Sequence, residues 1–216
     1  MLGCFGVVLI ENFVRIDSLL PDVQLNVFGD HLSLDEVVAG RWCVFLGISQ
    51  HDSALARRAP DVVQFASRHL ESDVVLVVCC ANSSMLPTAG IEPGAPSNLV
   101  YAVLQSDAGG AAASTLFDPD EHSLQYYIVS PAKRVQIIGA LPSIGDLNFA
   151  EIGRALEALR STYGEFLATP ANWESGAPLI VQTALADEEA VRRYGPLDIV
   201  FFYLRYVSPV KSKSDD

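Results

Sequence analysis

The chain is poor in charge, and poorest in positive charge. Only 19% of its 216 residues are charged, and 14 Lys and Arg stand against 26 Asp and Glu, a formal net charge of −12. That balance argues against nucleic acid, whose phosphates need a basic stripe, and against anionic membrane surfaces. Long apolar runs are missing too: none reaches the roughly 20 residues that a transmembrane helix needs. The apolar start, MLGCFGVVLIENFVRI, has no Lys or Arg ahead of it and no small-x-small cleavage site, which reads against a secretory signal. An Arg-rich, acid-poor transit peptide is equally absent from view.

Cysteine is scarce, and its spacing excludes more than its number. Of the four, Cys4, Cys43, Cys79 and Cys80, none forms a C-x-x-C pair or a Cys/His set with zinc spacing. Neighbouring residues of a strand point to opposite faces, so Cys79 and Cys80 are not expected to bridge. This usage suits an intracellular reducing compartment, cytoplasm or organelle matrix (the mitochondrion included), with Cys acting as a small hydrophobe. No cofactor motif and no internal repeat is found, and no cofactor is expected.

Half of the residues are hydrophobic, enough for a sizeable core. Apolar runs predict strands at Gly6–Ile10, Trp42–Ile48, Val74–Cys80, Leu99–Leu104, Gln125–Val129 and Val135–Gly139. VVLVVCC, at 74–80, is apolar at every position, as a central strand covered on both faces should be. Helical spacing predicts Ala54–Leu70, a short Gly110–Leu116 and Phe149–Tyr163, the last with Asn148 as N-cap. SPAKR, between two strands, marks an antiparallel hairpin. Strand, helix, strand, helix, strand, strand, helix is a thioredoxin-like order in the α/β class: a mixed sheet flanked by helices. The late hairpin favours it over a doubly wound parallel sheet.

Ser83–Ser97 (SSMLPTAGIEPGAPS) reads as an irregular insertion. Beyond Tyr163 a Pro/Gly-punctuated loop leads to a strand, ADEEAVRRY gives one or two helical turns, and IVFFYLRYV reads as a final strand. This tail, about Leu167–Pro209, looks too small for a core of its own. It is expected to pack on the main domain or on another chain.

The tail carries a resemblance. ATPANWESG (168–176), DEEAVRRY and YLRYVSP (203–209) closely resemble, in order, the C-terminal arm of the one-cysteine class of peroxiredoxins. Upstream, SPAKRVQIIGALPSIGDLNFAEIGRALEAL resembles the family's hairpin and following helix. LLPDVQL resembles its opening and RWCVFLGI its first core strand. The resemblance implies a thioredoxin-like core, an arm used in dimer contacts, and peroxide reduction by a thiolate at the first turn of a helix. It divides the chain into an N-terminal extension (1–18), a peroxiredoxin domain (19–166) and a dimerisation arm with a polar tail, KSKSDD (167–216).

The family's catalytic residues are not matched. Its strand runs into P-x-x-x-T-x-x-C, and here His51 stands where the peroxidatic Cys belongs, with no Pro-x-x-x-Thr before it. Leu124 falls where the family's active-site Arg lies, and Leu147 where a second Arg is common. The lipase-like G-x-S-x-G of some members is replaced by Ala39-Gly40-Arg41-Trp42-Cys43, without a serine.

Each remaining candidate has a plain alternative. Ser49, His51 and Asp52 have the residue types of a hydrolytic triad, but residues so close in sequence rarely converge, and a polar helix-capping turn accounts for them. Cys79 and Cys80, ending a central strand, are redox candidates or core packing; Cys43 is mid-strand core; Cys4 lies near the terminus. Trp173, Tyr203, Arg205 and Tyr206 are interface candidates, and packing of Trp173 within its own domain is the alternative. The expected function is that of a non-catalytic peroxiredoxin relative, a structural or interaction protein acting as a homodimer or as a subunit of a larger assembly. A thiol-dependent enzyme using Cys79 or Cys80 is the second reading, and a hydrolase at Ser49/His51 the third.

Overall fold

The computed structural model describes residues 14–48, 54–69, 73–80, 96–104, 116, 123–142 and 147–208. The chain forms two compact units, residues 1–147 and 148–216.

In the first unit, the two strands that are apolar at nearly every position lie at the centre. β3 (Trp42–Ile48) and β4 (Val74–Cys80) pair in parallel, Trp42 opposite Val74 through Ile48 opposite Cys80. All of their residues are buried except Gly47, which the burial string also marks as covered. With no solvent face there is no reason for polar alternation. β5 (Leu99–Leu104) continues the parallel run beside β4. β6 (Ser123–Val129) is antiparallel to β3, and β7 (Val135–Pro142) to β6. A hairpin of β1 (Gln24–Val27) and β2 (Asp30–Ser33) closes the far edge, giving the order β2-β1-β5-β4-β3-β6-β7. The expected mixed sheet is present.

Both faces are covered. α1 (Leu34–Val38) starts at a capping box: Ser33 Oγ accepts from the Glu36 N–H (3.1 Å) and Glu36 Oε2 from the Ser33 N–H (2.7 Å). Its Leu34, Val37 and Val38 join Leu25, Phe45, Val75, Val77, Cys79, Ala102 and Tyr127 in one core cluster. α2 (Ala54–Arg68) buries Ala59, Val62, Phe65 and Ala66. Asn98 ties the end of α2 to the sheet, its Nδ2 donating to the Ala66 carbonyl (3.0 Å) and the Val74 carbonyl (3.2 Å).

The strands at 42–48, 74–80 and 99–104 have the predicted bounds, and the hairpin strands are each longer than predicted. The predicted strand Gly6–Ile10 lies outside the described residues, as do most of the short helix before Leu116 and of the insertion at 83–97. α1 and the β1–β2 hairpin had no prediction.

The second unit holds α3 (Phe149–Thr162), β8 (Leu167–Ala168), β9 (Leu179–Val181), α4 (Asp187–Tyr194), β10 (Leu197–Phe201) and β11 (Leu204–Val207). Asn148 caps α3 as predicted, its side chain accepting from the Glu151 N–H at 3.1 Å. The four strands form an antiparallel sheet, β10-β11-β9-β8. One face of it packs Leu167, Leu179, Val181 and Val207 against Trp173, Leu185, Ala190 and Ala158. The expectation that the tail has no core of its own gives way here, because Ala158 of α3 and the indole of Trp173 help to fill one. IVFFYLRYV is also not one strand: it turns at Phe202-Tyr203, so its first residues lie beside its last.

Candidate functional site

The end of the large sheet where β3 gives way to α2 is the place to look for chemistry, and the register fixes what meets there. Ile48, the last residue of β3, lies opposite Leu124 of β6 on one side and Cys80 of β4 on the other. Leu141 and Val103 extend the row outward. Residues in one row share a face, so this row reads Leu, Leu, Ile, Cys, Val, without a charge. Leu124 is 5% exposed. Leu147 is buried as well. His51, with Ser49 and Asp52, lies outside the described residues, and so does Cys4.

The three described thiols are free and buried. Burial pushes the Cys43 thiol up to about 12, with Arg41 pulling weakly the other way. Burial raises Cys79 further, and the neighbouring Cys80 adds to it. Burial alone raises Cys80 to about 12. Such thiols stay protonated at neutral pH, whereas the nucleophile in thiol chemistry is the thiolate. Cys79 sits in the core cluster with Phe45 and Tyr127. The Tyr127 hydroxyl lies between the Leu116 carbonyl and Gln125 Oε1, and burial pushes its pKa up to about 12. Among the described residues no cluster of His, Cys, Asp and Glu could hold a metal ion. None of their helices is long and apolar enough to cross a membrane.

In the second unit the arm candidates separate. Trp173 is 4% exposed inside its own unit; its Nε1–H donates to the Ala177 carbonyl (2.9 Å) and its carbonyl accepts from Arg154 (3.1 Å). Arg205 is buried, ion-paired with Asp187, and donates to the Gln182 carbonyl at 2.7 Å. Tyr206 is half-buried and lines a cleft of about 380 Å³ with Pro170, Ala177, Pro178, Pro196, Asp198 and Ser208. Tyr203 stands exposed at the β10–β11 turn. Around it the sequence reading missed the unit's most exposed apolar run: Ile199, Val200, Phe201, Phe202 and Tyr203 are all more than half exposed, Phe202 at 86%. The signal was visible as five apolar residues in a row, but such a run reads equally as a buried strand.

The class defined by this fold is thioredoxin-like: a mixed sheet flanked by helices, here with a small arm that carries its own sheet. Residues 165–195 match the C-terminal domain of 1-Cys peroxiredoxin. The 1-Cys peroxiredoxin PER1 of Hordeum vulgare is 31% identical over 116 residues, 50% of this chain and 53% of that protein. A solved peroxiredoxin 6 of Arenicola marina superposes with a TM-score of 0.76 at 20% identity, covering 92% of this chain and all of the other. A yeast mitochondrial 1-Cys peroxiredoxin superposes at 0.72 with 15% identity, covering 91% and 100%. The chain spans about half the length of the curated 1-Cys peroxiredoxins from Bromus, Syntrichia and Hordeum that it matches. These likenesses place it in the one-cysteine peroxiredoxin class.

Proposed function

We propose that this chain is a peroxiredoxin-class scaffold that no longer reduces peroxide and serves as a structural or interaction protein. It works as a homodimer through the arm, residues 167–216, or as a subunit of a larger assembly, in a reducing intracellular compartment. The single observation that carries this reading is the state of the thiols: Cys43, Cys79 and Cys80 are all buried, and Cys43 and Cys80 titrate only near 12. The apolar row at the end of the sheet supports it. A thiolate needs a cation or a helix N-terminus to persist at neutral pH, and Leu124, where the family's pattern has Arg, supplies neither.

A second reading is a thiol-dependent antioxidant enzyme using Cys79 or Cys80. Its support is that the relatives are named as peroxiredoxins, and that Cys80 is beside Ile48 at the catalytic end of the sheet. One experiment separates the two. Purified protein is mixed with hydrogen peroxide and a thiol reductant; peroxide loss is followed, and a sulfenic-acid trap is scored by intact mass. No turnover above the reductant blank and no trapped adduct is the expected result. Turnover, or an adduct at Cys79 or Cys80, overturns the non-catalytic reading and establishes the second.

A further inference from the structure

The β10–β11 hairpin carries two features at opposite ends. At its tip, Phe201, Phe202 and Tyr203 project a small aromatic knob. Phe201 and Tyr203 stack with centroids 5.4 Å apart, and Phe202 meets Tyr203 edge-on at 5.1 Å. At its base lies the cleft of about 380 Å³, walled by Pro170, Pro178, Pro196 and Tyr206. Both belong to the face and turn of the hairpin that the unit's core leaves uncovered. Asp198 lies directly opposite Tyr206, whereas the core takes the alternate residues Leu179, Val181 and Val207.

We infer that knob and cleft are complementary, and that the occupant of the cleft is the aromatic tip of a second copy of this chain. The inference rests on the reading of the arm as an assembly surface and names the contact. Two hairpins placed antiparallel about a two-fold axis bring each tip to the other's base, so both contacts form together and the pair closes. The separation suits this, since the five residues of β10 span roughly 17 Å at about 3.3 Å each. The area suits it too. Three rings this exposed offer on the order of 400 Å² per copy. With the cleft walls, the pair reaches about 1,000 Å², where specific interfaces begin. The cleft holds one or two aromatic rings and is apolar apart from Asp198 and Ser208. The Asp198 carboxylate can there accept from the hydroxyl of Tyr203 of the second copy. Pairing of the outer β10 edges is the poorer alternative, because the bulge at Val200 twists that edge away from regular register.

The test is sedimentation velocity over a concentration series on the full chain and on Phe202→Asp and Phe28→Asp. Phe28 is an exposed aromatic of the other unit, at 60%, and serves as the control. Circular dichroism verifies that each variant is folded. The expected result is a dimer that Phe202→Asp weakens at least 100-fold and Phe28→Asp leaves within 3-fold. In a Cys4→Ser background, mixing Phe202→Cys with Ser208→Cys is expected to give the mixed disulfide in excess over either symmetric one. A dimer indifferent to Phe202→Asp overturns this contact while leaving the homodimer reading intact. A wild-type monomer at 100 µM overturns both. Species that grow without limit and vanish in Phe202→Asp overturn the closed pair in favour of head-to-tail stacking. Peroxide turnover is scored separately, so loss of the non-catalytic reading cannot be mistaken for loss of the contact.

Discussion

Arg205, 3% exposed, pairs with Asp187, the first residue of α4, whose own side chain is 58% exposed. The pair is lopsided: one charge is inside the second unit and its partner is at the surface. Removing the buried member leaves the Gln182 carbonyl without its donor and a hole in the sheet's core face. Arg205→Ala is therefore expected to cost about 2–4 kcal/mol, and Arg205→Lys a substantial part of it, because one ammonium cannot reach both acceptors. Asp187→Asn is expected to cost under about 1 kcal/mol, since water covers that end. Urea unfolding midpoints of the three variants check the ranking.

Trp173 distinguishes two roles that predict different measurements. Its indole fills the arm's core and donates to the Ala177 carbonyl, so Trp173→Ala is expected to destabilise by about 3–5 kcal/mol and Trp173→Phe by about 1–2. An interface anchor would behave differently, with self-association falling while the unfolding midpoint stayed still. Urea unfolding and sedimentation on the same two variants read both quantities.

Most of the large sheet was legible because burial on both faces leaves no ambiguity in VVLVVCC or WCVFLGI. Asn148 was legible because an N-cap is a local chemical device. The β10–β11 turn was not. Two-residue hairpin turns usually need positive φ and so show Gly or Asn. This one closes with Phe202-Tyr203, neither among the positive-φ residues, and takes up the misfit with a bulge at Val200. α1 escaped for a different reason: five residues give too little periodicity, and its start is fixed by the Ser33–Glu36 exchange rather than by an apolar stripe. At the candidate site the sequence gave away identities, Leu124 for Arg above all, but it could not show that Leu124, Ile48 and Cys80 stand in one row. Register is a tertiary property.

The thiols predict a pH dependence with a definite sign. Each described Cys has a folded pKa above its ordinary 9.0, so above that pH the folded chain keeps protons that the unfolded chain gives up. Their contribution is fully present below pH 9 and is lost as pH rises from 9 towards about 12, by up to about 1.4 kcal/mol per pH unit for each thiol. Tyr101 and Tyr127, pushed by burial from 10.0 to about 12, add to the fall above pH 10. The urea midpoint is expected to be flat on this account between pH 7 and 8 and to drop beyond 9, with a shallower drop in Cys80→Ala. In a Cys4→Ser background, a thiol reagent at pH 8 is expected to label nothing until urea unfolds the chain.

Gly139 predicts a coupling. It lies opposite Tyr126 across the β6–β7 pair, and the Tyr126 ring covers it so closely that a Cβ would fall inside the ring's van der Waals envelope. Glycine is needed here for space, not for an unusual φ. Gly139→Ala is expected to cost about 1–3 kcal/mol by forcing the ring off its seat. Tyr126→Ser gives up the ring's cover of the strand at a smaller cost. In the double variant the clash is gone, so the two costs should fall short of their sum by at least about 1 kcal/mol. A double-mutant cycle of unfolding midpoints reads this directly. Additive costs would mean that β7 shifts at Gly139 without involving the ring.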